Sequence, residues 1–354
     1  MKKKISNFYK NKKILITGHT GFKGSWLTLF LLNFKSKIFG ISKDYPSFPN
    51  HFSELKLKKK IKHYLFDLSD KMKTKNFINK IKPQIIFHLA AQPLVKKSYA
   101  EPYLTWRSNF YSTLNILEYI KNINYNCVIV LITSDKCYEE NFKKKFYKEE
   151  DRLGGIDPYS ASKACVELLF KSYYNSFLIK KKNIKICTAR AGNVVGGGDW
   201  AKDRIIPDLI KSILKKKKTF IRQPKSVRPW QHVLDPIYGY LKIAYLLTKN
   251  KNINGESFNF GPDKKNKNTV LDLLKIMKLN WNQFNWKIKK ENRFKETKIL
   301  SLDCSKAKKK LGWKPILSFK RTAEFTAIWY KNYYKKKRHI STQEQINDFI
   351  KYVQ

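Results

Sequence analysis

No stretch of the chain reaches eighteen consecutive apolar residues, so a membrane-spanning helix is not expected. Met1 to Lys13 is basic and lacks the apolar segment of a secretory leader. Cysteine is sparse and scattered: Cys127, Cys137, Cys165, Cys187 and Cys304 include no C-x-x-C pair. That argues against a disulfide framework and against a zinc or dithiol site. It predicts reduced thiols in a cytoplasmic protein without a bound metal. Acidic residues are also few, 27 Asp and Glu against 74 Lys and Arg, for a formal charge of +47. Arginine is the scarcer base, 9 of those 74.

So large a basic excess raises the question of nucleic acid. An electrostatic binder gathers its charge on one face, often with interleaved aromatics. Here lysines run from Lys2 to Lys351 and occupy ordinary solvated positions, as a chain encoded by AT-rich DNA would show. Blocks such as Lys180–Lys182 and Lys215–Lys218 read as helix ends and wet faces. Neither a nucleic-acid nor a membrane partner is expected, although the field will attract small anions. The rarity of Arg makes its clustering informative: Arg190, Arg204, Arg222 and Arg228 fall close together. A guanidinium grips phosphate in a two-point contact that an ammonium cannot copy. Either a phosphate site or chance accounts for the cluster.

What is present is a regular alternation of elements. Apolar runs at 12–18, 37–42, 62–68, 84–91, 127–135 and 184–194 read as six buried strands. Helical patterns at 23–33, 71–81, 109–121 and 160–178 separate most of them. The fold class is therefore α/β, a doubly wound parallel Rossmann sheet with a smaller C-terminal substrate-binding lobe. Residues 1–194 would bind a dinucleotide, and a helix within 233–250 would return to that domain. Residues 195–232 and 251–354 would form the lobe, with helices at 205–215, 270–277, 305–311 and 321–334. The connections 45–50 and 142–157 are long, as functional loops often are.

Gly18, Gly21 and Gly24 form G-x-x-G-x-x-G directly after the first strand and at the start of a helix. The glycines permit a tight turn and close backbone approach, and the helix N-terminus attracts a pyrophosphate. Asp44, just past the second strand, would accept hydrogen bonds from the adenosine ribose and repel a 2′-phosphate, favouring NAD over NADP. Asp67 ends the third strand, where it could reach the adenine. Leu89, Ala90 and Ala91 supply small residues where a cofactor would cross the strand ends.

Tyr159 and Lys163 lie four apart on a predicted helix and so share a face. An ammonium beside a phenol favours the phenolate, which could take a proton from a sugar hydroxyl as a hydride leaves. Thr133, Ser134, Asp135 and Lys136 add hydroxyl, carboxyl and amine at the end of the fifth strand.

These features, with His88–Ala91, resemble the extended short-chain dehydrogenase/reductase family over nearly the whole chain. The stretches 17–26, 133–138, 189–200 and 228–233 narrow the resemblance to its nucleotide-sugar 4,6-dehydratases acting on CDP-glucose. The resemblance implies NAD as cofactor and a homodimer or homotetramer built through the helix bearing Tyr159. It also implies a role in deoxysugar supply, as for lipopolysaccharide O-antigen. Tyr159 and Ser134 would handle the C4 hydroxyl, Asp135 would be the acid for the C6 hydroxyl, and Lys136 either a neutral base at C5 or a charged stabiliser of the enolate. Asp135 and Lys136 pairing only with each other is the structural alternative. Thr20, Phe22, Leu68, Asn109 and Thr133 join the cofactor set by resemblance. Gln92, Asn193, Asp199, Trp200, Arg204, Arg228 and His232 join the substrate set. Trp200 would stack on cytosine or fill the lobe core, and His232 would bond substrate or simply pack. The family often has His-Glu before its Leu-x-Leu-Asp segment, where this chain has Lys295-Glu296 before Leu300 to Asp303. A 4-epimerase or decarboxylase would need the Tyr and Lys but no acid at 135. A non-catalytic NAD-binding or RNA-binding protein is the reading from another class.

Overall fold

The computed structural model describes residues 2–140, 146–221, 223–249, 251–264, 267–288, 301–336 and 338–353. Arg222, Lys295, Glu296 and Leu300 lie outside the described residues.

Seven parallel strands form the central sheet: β1 (Lys13–Thr17), β2 (Lys37–Ser42), β3 (Lys62–Leu65), β4 (Ile85–His88), β5 (Cys127–Ile132), β6 (Ile184–Ala191) and β7 (Ser257–Phe260). Their spatial order is β7-β6-β5-β4-β1-β2-β3. The chain builds outward from β1 to β3, then crosses back to add β4 beside β1. This reversal leaves a crevice at the carboxyl ends of β1 and β4, where ligands bind in open α/β sheets.

The strands are apolar on both faces because both are covered. On β5, Val128, Val130 and Ile132 enter one cluster, and Cys127, Ile129 and Leu131 the other. The second cluster takes in Ile78, Ile116, Leu117 and Phe170 from α3 (Lys71–Ile81), α4 (Ser112–Ile120) and α5 (Pro158–Tyr173). On the first face lie α1 (Lys2–Tyr9) and α2 (Phe22–Asn33). Each fully buried aliphatic side chain contributes about 1.5–3 kcal/mol.

The first cluster does not stop at the sheet. It continues through α6 (Ile205–Leu214), α7 (Leu234–Leu247), α8 (Val270–Asn280), α9 (Ser305–Leu311), α10 (Phe319–Lys335) and α11 (Thr342–Tyr352). α7 packs against β5 and β6, and Tyr9 of α1 donates to the Leu241 carbonyl at 2.8 Å. Buried His51 bridges distant segments. It contacts Ser25 of α2 at 2.7 Å and Thr342 of α11 at 2.9 Å, and Trp329 of α10 donates to the same Thr342 hydroxyl.

The boundary of the lobe differs from expectation. Ser257–Phe260, assigned to the lobe within 251–354, is the seventh strand, paired with Thr188–Ala191. α11 also packs on the first domain, with Phe349 edge-on to Phe30 at 6.3 Å. The strands at 62–68, 127–135 and 184–194 end earlier than expected, at Leu65, Ile132 and Ala191, which leaves residues 133–137 as a turn above the sheet.

Candidate active site

The crevice begins at the turn between β1 and α2. Gly18 sits at φ +72, and a Cβ there would lie 2.8 Å from the Ala90 nitrogen. A Cβ on Gly24 would lie 2.1 Å from the Gly18 carbonyl oxygen. Both glycines are therefore dictated by close backbone approach. Gly21 caps α2 without a side-chain hydrogen bond, so the first amides of the helix stay open to an anion. Thr20 fastens this turn to β2, its amide on Ser42 Oγ at 3.1 Å and its hydroxyl on the Asp44 carbonyl at 2.7 Å. The Asp44 side chain is exposed beside it. The tight turn, the uncapped helix start and the small residues at 89–91 fit a dinucleotide.

The chemical residues come from β5 and α5. After Ile132 the chain turns through Ser134–Cys137. Ser134 Oγ accepts from the Lys136 amide at 3.2 Å and donates to Asp135 Oδ1 at 2.9 Å. α5 starts sharply because Asp157 caps the Ser160 amide at 3.0 Å and Pro158 opens the helix. Tyr159 and Lys163 then project from one face, both buried. Ser134 also bonds the Tyr159 phenol. Ser134, Asp135 and Tyr159 thus meet at the carboxyl end of the sheet, with Lys163 one turn deeper.

Burial dominates the electrostatics. It raises the Asp135 carboxyl above the usual range, against the opposing pull of Lys136, the Ser134 hydrogen bond and Lys23. It lowers the Lys163 ammonium to about 8, opposed by Cys137 and Glu167. Tyr159 is pushed up to about 12 by burial, opposed by the Ser134 hydrogen bond. The expectation that Lys163 lowers the phenol is not met, since desolvation outweighs the neighbouring charges and Arg204 is the cation that opposes it. Lys136 turns to Glu140, Nζ to Oε1 3.6 Å. Its ion pair is thus with a residue four positions on.

Several other predicted residues are held differently from expectation. The Gln92 carboxamide is engaged by Leu94 and Thr105, and that of Asn109 by Gln92 and Ser162. Both shape the wall behind Tyr159, since Ser162 in turn donates to the Tyr159 carbonyl. The Thr133 hydroxyl points away from the crevice to Glu167 at 2.5 Å. Trp200 is buried among Trp329, Tyr330 and Tyr333, its Nε1 on the Tyr334 hydroxyl at 2.9 Å, so it fills the lobe core. His232 packs between Trp26 and Phe325 with its imidazole lowered to about 3 by burial. Arg190 is not a phosphate ligand: it is fully buried and paired with Glu167 at 2.7 Å. Asp67 is shared by Lys43 at 3.3 Å and Arg107 at 3.5 Å. Leu68 is buried, its carbonyl bonded to Asn115. Phe22 opens α2 and reaches Gly196. Asn193 is exposed just past β6, and Arg228 is partly buried on the 223–230 segment. Asp199 and Arg204 form an ion pair at 2.8 Å, and that guanidinium faces Tyr159 and Lys23.

Two groups escaped the sequence reading. Lys23, inside the glycine fingerprint, is partly buried near Asp135, Arg204 and Lys163, and is lowered to about 8 by burial and by Arg204. Its signal was available: it is the only charge in the helix FKGSWLTLFLLN. Glu167, four residues beyond Lys163, carried a weaker signal as an acid on the buried face of α5.

Comparison with known proteins places the chain as follows. The family described as GDP-mannose 4,6 dehydratase matches residues 15–326. The chain is 39% identical over 350 residues to CDP-glucose 4,6-dehydratase of Salmonella typhimurium, covering 97% of this chain and 98% of that protein. UDP-glucose 4-epimerase of Thermotoga maritima shares the fold with a TM-score of 0.77 at 22% identity, over 92% of this chain and 99% of that one. dTDP-glucose 4,6-dehydratase of Bacillus anthracis, solved with NAD, superposes with a TM-score of 0.76 at 20% identity, over 91% and 97%.

Proposed function

Since the chain belongs to the GDP-mannose 4,6-dehydratase family, we propose that it converts CDP-glucose to CDP-4-dehydro-6-deoxyglucose and water, using NAD. The observation that carries the reading is Asp135: a buried carboxyl with raised pKa, hydrogen-bonded to Ser134 beside Tyr159. A 4-epimerase or decarboxylase has no use for an acid there. The identity to a relative named for CDP-glucose supports the choice of nucleotide.

NAD would be held by the Gly18–Gly24 turn and the small residues at 89–91, and would supply the hydride acceptor for C4 and the hydride donor for C6. Tyr159, once its own phenolic proton has passed to solvent, takes the proton of the C4 hydroxyl, with Ser134 sharing the hydrogen bond. The resulting 4-keto group makes the C5 proton acidic. Asp135, whose carboxyl burial raises toward the protonated form, gives its proton to the C6 hydroxyl, which leaves as water. Lys136, ion-paired with Glu140, lies where it supports the enolate as the C5 proton passes to solvent, and a proton returns to C5 when C6 takes the hydride. Asp44 meets the adenosine ribose, and Asn193, Arg204 and Arg228 meet the sugar nucleotide. Tyr99, Tyr103, Tyr111 and Leu168, all exposed on α5 and the helical segments beside it, supply an apolar face for a homodimer. The free cysteines agree with a reducing, cytoplasmic setting.

The test is incubation with CDP-, dTDP-, GDP- and UDP-glucose, following the 4-keto sugar by its absorbance in alkali. Product from CDP-glucose is expected, and product from none of the four would refute the dehydratase. Asp135→Asn should retain oxidation yet let reduced cofactor accumulate. A variant that turns over without such accumulation would remove Asp135 from the acid role.

A further inference from the structure

The catalytic turn 134–137 has no regular element of its own beyond a single 3₁₀ turn. Something else must hold Asp135 in register with Tyr159 and Lys163. The groups flanking the turn show what does. Thr133, just before it, donates from Oγ1 to Glu167 Oε1 at 2.5 Å. Tyr138, just after it, accepts on its hydroxyl from Arg190 Nη1 at 2.8 Å. Glu167 and Arg190 are themselves an ion pair, Oε2 to Nη2 2.7 Å, with both side chains 0% exposed.

We propose that the buried Glu167–Arg190 pair is a positioning device for elimination, a bracket that grips both ends of the catalytic turn and ties it to the helix bearing Tyr159 and Lys163. The proposal rests on the dehydratase reading. Each arm of the bracket is anchored beyond the turn. Glu167 Oε2 also accepts from Thr188 Oγ1 at 2.9 Å on β6 and from Ser257 Oγ at 3.1 Å on β7. Arg190 Nη1 also donates to the Glu149 carbonyl at 3.0 Å. The Tyr138 hydroxyl itself donates to Asn259 Oδ1 at 2.7 Å. Asn259 in turn bonds the Tyr147 and Asp303 carbonyls, at 3.0 and 3.3 Å, where the segments 146–147 and 301–302 pair. Three strands, one helix and the edge of the lobe thus converge on one carboxylate and one guanidinium. Stability alone gives little reason for such a pair, because apolar residues of similar volume often serve a core as well or better. Tyr159 and Lys163 have a helix with its own cap to hold them. Asp135 sits on a short turn with only a few backbone bonds beside the bracket, such as the Gly154 amide on the Cys137 carbonyl at 3.0 Å, so elimination is the step that depends on it most.

The decisive variant replaces both charges, Glu167→Leu with Arg190→Met. It removes the bracket without leaving a lone buried charge, and Thr188 and Ser257 remain bonded to each other at 2.9 Å. Tyr138→Phe and Thr133→Val each remove one arm with little change in shape, and serve if the double variant does not fold. Purified holoenzyme is mixed with CDP-glucose in a stopped-flow cell, and the reduced nicotinamide is followed alongside product. The double variant should melt near the parent and eliminate about 100-fold more slowly, as misplacement of a reacting group by about an ångström does, while oxidation, which shares Ser134 and Lys163 with the gripped elements, slows far less. Reduced cofactor then accumulates. Each single variant should slow elimination about tenfold, the equivalent of one ordinary hydrogen bond. Variants that fold and eliminate at the parent rate, or in which oxidation and elimination slow together, would overturn the bracket. The parent protein's own product formation scores the activity separately, because variants are read as ratios to it.

Discussion

Replacing Asp235 with Asn should make the protein more stable above neutral pH and no more stable, or less stable, in acid. Asp235 is buried in the first turn of α7, where Oδ1 accepts from the Ile316 amide at 2.7 Å and the Leu317 amide at 3.4 Å. Its Oδ2 has no hydrogen-bond partner among the described residues. Burial raises the carboxyl from 3.8 to about 7, against those two amides. A raised folded-state pKa means that the native protein binds the proton more tightly than the unfolded chain does. Its contribution is complete below about pH 4 and is lost as pH rises through about 7. Three pKa units correspond to about 4 kcal/mol. Asn keeps the Oδ1 acceptor and carries no charge, but buries an amide whose unmet donors cost about 1–3 kcal/mol. The net gain above pH 7 is therefore about 1–3 kcal/mol, shrinking to nothing or reversing near pH 5. Urea unfolding of parent and variant at a series of pH values reads the difference directly. A difference that stays flat between pH 5 and 8 would refute the reasoning.

Lowering of the Lys163 ammonium to about 8 predicts that the oxidation rate has a limb falling through that pH as the charge is lost, and that Lys163→Arg, even if slower, lacks the limb. A single-turnover pH profile checks this. Gly24→Ala forces a Cβ to within 2.1 Å of the Gly18 oxygen and should abolish copurifying NAD, read from the absorbance of the denatured supernatant. Trp200→Ala should lower stability by about 3–5 kcal/mol through loss of a core aromatic, while leaving the preference among the four nucleotide sugars unchanged. A changed preference would return Trp200 to the substrate.

The sheet was legible because its signal is local. Runs such as CVIVLI and KILIT can only be buried, and the glycine triplet fixes the turn between β1 and α2. The pairing of Tyr159 with Lys163 followed from helical spacing. What escaped depends on which groups face each other across distance. Arg190 could have met a phosphate or a buried acid, and only the fold brings Glu167 to it. Gln92 and Asn109 are good ligands in isolation, but the backbone opposite claims their amides. Ser257–Phe260 has four residues with an Asn among them, too short to announce a strand. Lys136 and Asp135 are adjacent in sequence, yet the chain after the 3₁₀ turn brings Glu140 within reach of Lys136.

The contact of His51 with Thr342 spans 291 positions. The ribosome therefore completes the glycine turn and its helix long before the segment that covers them exists. Until then Trp26 and Phe30 face water, and the nascent chain is exposed to chaperone capture and proteolysis. Nucleotide affinity should be acquired late in synthesis, and truncations before residue 341 should be insoluble even though every residue proposed to touch ligand is retained.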